Sequence, residues 1–201
     1  MHEKLALMAS KIQTLEPLEP IRKRPKMYYD LENPNFGTNL IISALKNAIE
    51  ETNPTSIYID FLSELAVKIG FNKALGAYVC YGGARSAEKF VSVVLCGKNP
   101  DKDYGPDESG YSNYQMPEIN AACKEFILTV RNDEGEWQQL FQSCKKITEF
   151  KVVGPTKGDF TMFEMELDAD FFNKIGCSIS IDSKILKEWC YKNKVDFKEM
   201  L

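Results

Sequence analysis

The sequence predicts an α+β two-layer sandwich: a mostly antiparallel sheet of about six to eight strands, covered on one face by helices. Three observations carry this. Apolar residues recur at three- and four-residue intervals from Leu40 to Ile49 and from Ile185 to Cys190. They alternate with polar residues in several short runs, of which Ile57 to Asp60 and Phe160 to Met165 are the clearest. At 201 residues and 44% apolar, the chain fills one core but not two, so a single domain over residues 1–201 is expected, with an N-terminal arm over about the first 20 residues.

The elements follow in order. Leu5, Leu7, Met8, Ala9 and Ile12 fit a helix, either reaching out as an arm or folded on its own domain. Pro17 and Pro20 then break any long helix, leaving Leu15, Leu18 and Ile21 as spaced anchors. The basic knot from Arg22 to Tyr28 reads either as a ligand contact or as a solvated turn whose Met27 and Tyr28 plug the core. After the Asn33-Pro34-Asn35-Phe36-Gly37 loop, Thr38 or Asn39 is expected to cap a helix that Asn53-Pro54 stops.

Ile57 to Asp60 and Leu65 to Ile69 predict a hairpin about Ser63-Glu64. Leu75 to Tyr81 is a further apolar run ended by Gly82-Gly83, and Ser86 is placed to cap a helix through Val94. Gly97 to Gln115 has no periodicity and reads as a loop or lid. Pro117 suits the first turn of a helix over Glu118 to Lys124. Strands are then expected over Phe126 to Arg131, Glu136 to Phe141, Glu149 to Val153 and Phe160 to Leu167, with a hairpin turn at Asn132-Asp133-Glu134-Gly135. Asp182 or Ser183 caps a closing helix, and a short strand near Val195 to Phe197 finishes the sheet.

Composition narrows the function classes. Twenty-five basic and 29 acidic residues give a net charge of -4, so nothing global draws the chain to nucleic acid or an anionic membrane, and DNA contact would need a local basic patch. No run approaches the roughly 18 to 20 apolar residues of a membrane span, and Met1-His2-Glu3-Lys4 lacks a signal peptide's build, so a cytoplasmic protein with no membrane partner is expected. Six cysteines without a C-x-x-C pair, beside one histidine, predict reduced buried thiols and no metal site.

One stretch carries a specific signature. Arg22-Lys23-Arg24-Pro25-Lys26-Met27-Tyr28-Tyr29-Asp30, followed by Ser43-Ala44-Leu45-Lys46-Asn47-Ala48-Ile49-Glu50-Glu51, resembles the start of the ATPase domain of gyrase B and of its topoisomerase IV counterpart, in the GHKL (Bergerat-fold) superfamily. Those enzymes have R-K-R-P-G-M-Y-I-G and then a helix close to E-V-V-D-N-S-I-D-E. The resemblance implies the same two-layer fold, and covers about forty residues strongly.

It also implies a test of the chemistry. In that superfamily a helix-borne glutamate activates water, and an asparagine one turn later holds Mg²⁺. A D-x-G-x-G loop recognises adenine, and a glycine-rich lid wraps the phosphates with N–H groups. Here Asn47 stands at the metal position, but Ser43 at the position of the base and Lys46 beside the metal are the wrong chemistry. Lys68-Ile69-Gly70-Phe71-Asn72-Lys73 replaces the adenine box without an aspartate. Asp107-Glu108-Ser109-Gly110 stands at the lid, bringing carboxylates to where phosphates would sit. Asp159 stands where the family has the threonine behind adenine. Leu201 falls near the end of the resembled subdomain, so neither transducer nor cleavage domain is expected.

The expectation is therefore a catalytically inactive, gyrase B-like pseudo-ATPase domain without catalytic residues or cofactor, acting as a protein-interaction or regulatory module. Its partner would be another protein or a second copy, met through Arg22, Lys23, Arg24 and Tyr28 and through Tyr104, Tyr111 and Tyr114. The alternative is a nucleotide-binding protein that holds ATP and Mg²⁺ in a rearranged pocket through Asn47, Glu50 and Lys98.

Overall fold

The computed structural model describes residues 17–76, 87–93, 114–149, 151–154 and 157–199. The opening arm to residue 16, the run from Ala77 to Ser86 and most of the long loop lie outside them, and with them His2, Lys98, Tyr104, Tyr111 and Thr156.

The chain enters through a short helix α1 (Glu19–Lys23), with Pro20 in its first turn, and a 3₁₀ turn (Pro25–Met27). Helix α2 (Phe36–Thr52) ends where Asn53 adopts the left-handed conformation, φ 43°, ahead of Pro54. Strands β1 (Ile57–Ser63) and β2 (Ala66–Phe71) form the expected hairpin. Helices α3 (Ala87–Ser92) and α4 (Met116–Ala122) precede β3 (Cys123–Asn132), β4 (Gly135–Gln142), β5 (Lys145–Lys146), β6 (Lys151–Gly154) and β7 (Phe160–Leu167). Helices α5 (Ala169–Lys174) and α6 (Ser183–Lys192) and the strand β8 (Asp196–Glu199) close the chain.

One sheet holds every described strand, in the order β5-β4-β3-β7-β2-β1-β8. β5 and β6 both pair with the outer edge of β4, at Phe141-Gln142 and at Glu136 to Gln138, so they act as two segments of a single edge. Six pairings are antiparallel, and among the described strands β8 alone runs parallel to its neighbour, β1. The period-two pattern sets which face is dry. Ile57, Ile59 and Phe61, Val67, Ile69 and Phe71, Phe126 and Leu128, and Phe163 and Met165 are buried beneath the helices. Tyr58, Asp60, Lys68, Ile127, Leu140 and Glu164, on the other face, are partly exposed. This is the α+β sandwich that the sequence predicts.

Three expectations need correction. Met27 does not plug the core: it is 70% exposed, and Tyr29, two residues on, takes the interior position. Neither Thr38 nor Asn39 caps α2, which starts earlier, with Asn35 at its N-cap. The Thr38 hydroxyl instead accepts the Asp182 N–H at 2.8 Å. Helix α4 starts and stops about two residues before the expected span, because Cys123 already belongs to β3. Asp182 does cap α6, its carboxylate accepting from Lys184 and Ile185 N–H at 2.9 and 3.1 Å.

Candidate functional site

The site to test is the face of α2 that carries Ser43 and Asn47, residues one helical turn apart and therefore on one side. Both meet the same neighbour. The Ser43 hydroxyl accepts the backbone N–H of Tyr114 at 3.0 Å. The Asn47 amide donates to the Tyr114 carbonyl at 2.7 Å and back to the Ser43 carbonyl at 2.7 Å. Ser43 is fully buried, and Tyr114, expected to meet a partner, is instead an interior residue only 5% exposed.

The Tyr114 ring is held as firmly as its backbone. It meets Tyr29 and Phe36 edge-on, at centroid separations of 6.0 and 5.8 Å, and Phe172 completes the cluster at 5.7 Å from Tyr29 and 5.2 Å from Phe36. The Tyr114 hydroxyl accepts the Asp30 N–H at 3.2 Å, and Tyr29 donates its own to the Glu118 carbonyl at 2.7 Å. Burial, reinforced by the nearby Glu118 carboxylate, raises the Tyr29 phenol well above its ordinary range, so it stays a neutral donor. Immediately after Tyr114, the Gln115 N–H donates to the Glu118 carboxylate at 2.8 Å, fixing the start of α4.

The other elements expected around this face carry packing groups. Gly70 lets the Tyr58 ring lie across β2: a Cβ there would come within 2.3 Å of Tyr58 Cζ. Phe71 is buried edge-on against Phe163 at 5.6 Å. Asn72 is turned to its own hairpin end, accepting from Ser56 N–H at 2.9 Å and donating to Thr55 Oγ1 at 2.7 Å. Asp159 is exposed, and the buried threonine of β7 is Thr161, two residues on, which the sequence pattern did not single out. Its hydroxyl donates to the Lys73 carbonyl at 2.8 Å and accepts from Leu75 N–H at 3.0 Å. Its inward register on β7, opposite Phe71, was the signal that could have found it.

The described part of this face carries no carboxylate at the base position that would activate water beside a Mg²⁺-nucleotide group. The base position carries an uncharged hydroxyl already accepting a hydrogen bond, and the N–H₂ group of the Asn47 side chain donates to two carbonyls. Glu50 lies on the exposed side of α2, and Lys46 is half-buried. Among the described residues, no group of three His, Cys, Asp or Glu side chains is placed to hold a metal ion.

The basic knot divides. Arg22 is not a surface group: its guanidinium pairs with Asp168, donates to the Cys123 carbonyl at 3.3 Å and lies 4.2 Å from the Phe171 ring centroid. Asp168 in turn caps α5 through Phe171 N–H at 3.0 Å and donates its own N–H to the Ala122 carbonyl at 3.0 Å. Arg22 is therefore a bolt between α1, the junction of α4 and β3, and α5. Lys23, Arg24, Lys26 and Met27 are exposed along the turn, and Tyr28 is half-buried.

No family model matches the chain. It is 26% identical over 200 residues to DNA gyrase B of Campylobacter jejuni, covering 95% of this chain and 26% of that protein. It is 27% identical over 173 residues to the corresponding B protein of DNA topoisomerase 4 from Caulobacter vibrioides, covering 83% and 25%. The chain thus spans about a quarter of the length of these relatives. Among solved structures it matches the topoisomerase IV ATP-binding domain of Francisella tularensis, determined in complex with a small-molecule inhibitor, with a TM-score of 0.69 and 16% identity over 92% of this chain and 91% of that one. The chain is a homologue of the ATPase region of gyrase B and its topoisomerase IV counterpart, and it has the GHKL-like fold of that region.

Proposed function

We propose that the chain is a catalytically inactive member of this fold class, a gyrase B-like module that works by binding or regulating another protein. The supporting observation is the pairing of Ser43 and Asn47 with one backbone residue, Tyr114. A serine there is no general base near neutral pH without a partner to take its proton. The Asn47 N–H₂ group is committed to the Tyr114 and Ser43 carbonyls, which fixes that side chain in the contact with Tyr114. The module would meet its partner, another protein or a second copy, through the turn of Lys23, Arg24, Lys26 and Met27 with Tyr28 beside it, three cations around a large apolar side chain. No described helix is long and apolar enough to cross a membrane, and the four described cysteines are buried free thiols, which supports a reducing compartment such as the cytoplasm.

Calorimetric titration of the full chain with ATP and Mg²⁺, alongside a phosphate-release assay, tests the reading. No binding heat at millimolar ATP and no turnover are expected. Micromolar binding that disappears in Asn47→Ala would overturn the reading in favour of a rearranged nucleotide pocket, and turnover would overturn it outright.

A further inference from the structure

We propose that Ser43 and Asn47 form a backbone clamp, a self-closing contact that holds the chain at Tyr114 against α2 and shuts this face from within; the proposal rests on the reading of the chain as an inactive module. A serine and an asparagine one turn apart offer an acceptor and a donor on one side of the helix, and here they take the N–H and the carbonyl of a single residue. Without them, both backbone groups of a residue 5% exposed would lose these partners in the interior, which is costly. The residue at 43 suits this work because the position is fully buried: a hydroxyl accepts the N–H without the desolvation penalty of a carboxylate.

The clamp does not act alone. The Tyr114 ring is seated against Tyr29 and Phe36, and its hydroxyl is tied to Asp30. The next residue begins the Gln115 to Glu118 bond that starts α4. Release of Tyr114 therefore loosens the entry to α4 at Gln115, and this local opening is the conformational change that the geometry makes available. The sheet, held by its own ladders, does not need to move with it.

Amide hydrogen exchange of the ¹⁵N-labelled full chain tests this. In the unmodified protein the Tyr114 amide should exchange slowly. Ser43→Ala should speed it by about tenfold or more, with the Ile119 amide of α4 following, while Leu128 and Phe163 in the sheet are unchanged. Asn47→Asp, which sets a carboxylate against the Tyr114 carbonyl, should speed the same amides, and Ser43→Thr, which keeps the hydroxyl, should restore protection. Fast exchange at Tyr114 in the unmodified protein would overturn the clamp. So would an unchanged rate in Ser43→Ala, or equal acceleration across the sheet, which would make the pair ordinary core. ATP turnover by the unmodified protein would sink the inactive-module reading while leaving the exchange result standing, so the two failures are distinguishable.

Discussion

Arg22 is the side chain on which the basic knot depends for its place in the molecule. Its guanidinium and the Asp168 carboxylate are 14% and 9% exposed, so neither is well hydrated, and each removes the cost of burying the other. The planar fork also reaches the Cys123 carbonyl and lies over Phe171, two contacts that a lysine ammonium reproduces poorly. Arg22→Ala should therefore cost about 3 kcal/mol in chemical denaturation, because it strands a buried carboxylate. Lys23→Ala, one residue on, should stay within about 0.5 kcal/mol, since its pairing with Glu19 is at the surface and 3.8 Å long. Equal effects of the two substitutions would mean that Arg22 is not the bolt described above. Four basic residues stand within five positions of the sequence, and only tertiary packing separates the inward one from the rest.

At the scale of elements, α2 is fixed by a close approach at its first turn. A Cβ on Gly37 would lie 2.3 Å from the Ser180 carbonyl oxygen, a backbone atom that cannot swing away. Gly37→Ala should cost about 3 kcal/mol despite alanine's better helix propensity. Gly70→Ala should cost clearly less in the same denaturation experiment, because the obstructing atoms are the far end of the partly exposed Tyr58 side chain. The reverse order would place the tight contact in the sheet. The same locality governs what was legible in the sequence. The period of β7 gave its span from Phe160 to Leu167, and Asn53-Pro54 gave the end of α2, because both signals are local. The start of α2 was misread because the Thr38 hydroxyl serves Asp182, 144 residues away, which no local pattern records.

For the whole molecule, a mostly antiparallel sheet could be read from alternation, whereas the placing of β8 beside β1 could not, since four residues, three of them charged, carry little pattern. The site was legible by half: the resemblance to the gyrase B-type helix pointed to Ser43 and Asn47, but their partner is a backbone group 67 to 71 residues away, and backbone groups leave no residue-type trace. Burial across separate elements does carry one global consequence, a loss of stability in alkali. Burial pushes the Cys190 thiol of α6 up to about 12, and drives Cys123 on β3 higher still, the nearby Arg22 charge offsetting only part of it. Tyr29 is raised well above its ordinary range, first by burial. In the unfolded chain these groups ionise near their usual values, about 8.5 for a thiol and about 10 for a phenol. Above those values the unfolded state binds fewer protons than the native one, so stability is intact below about pH 8 and falls as pH rises. Two thiols together should remove about 2 kcal/mol between pH 9 and 10, with Tyr29 adding to the slope above that. Urea denaturation under reducing conditions at a series of pH values measures the fall directly, and Cys190→Ala should flatten it by roughly half. A stability that stays level to pH 10 would mean that these thiols are not sequestered beneath the helices, and with that the two-layer packing on which the clamp and the Arg22 bolt both depend would be wrong.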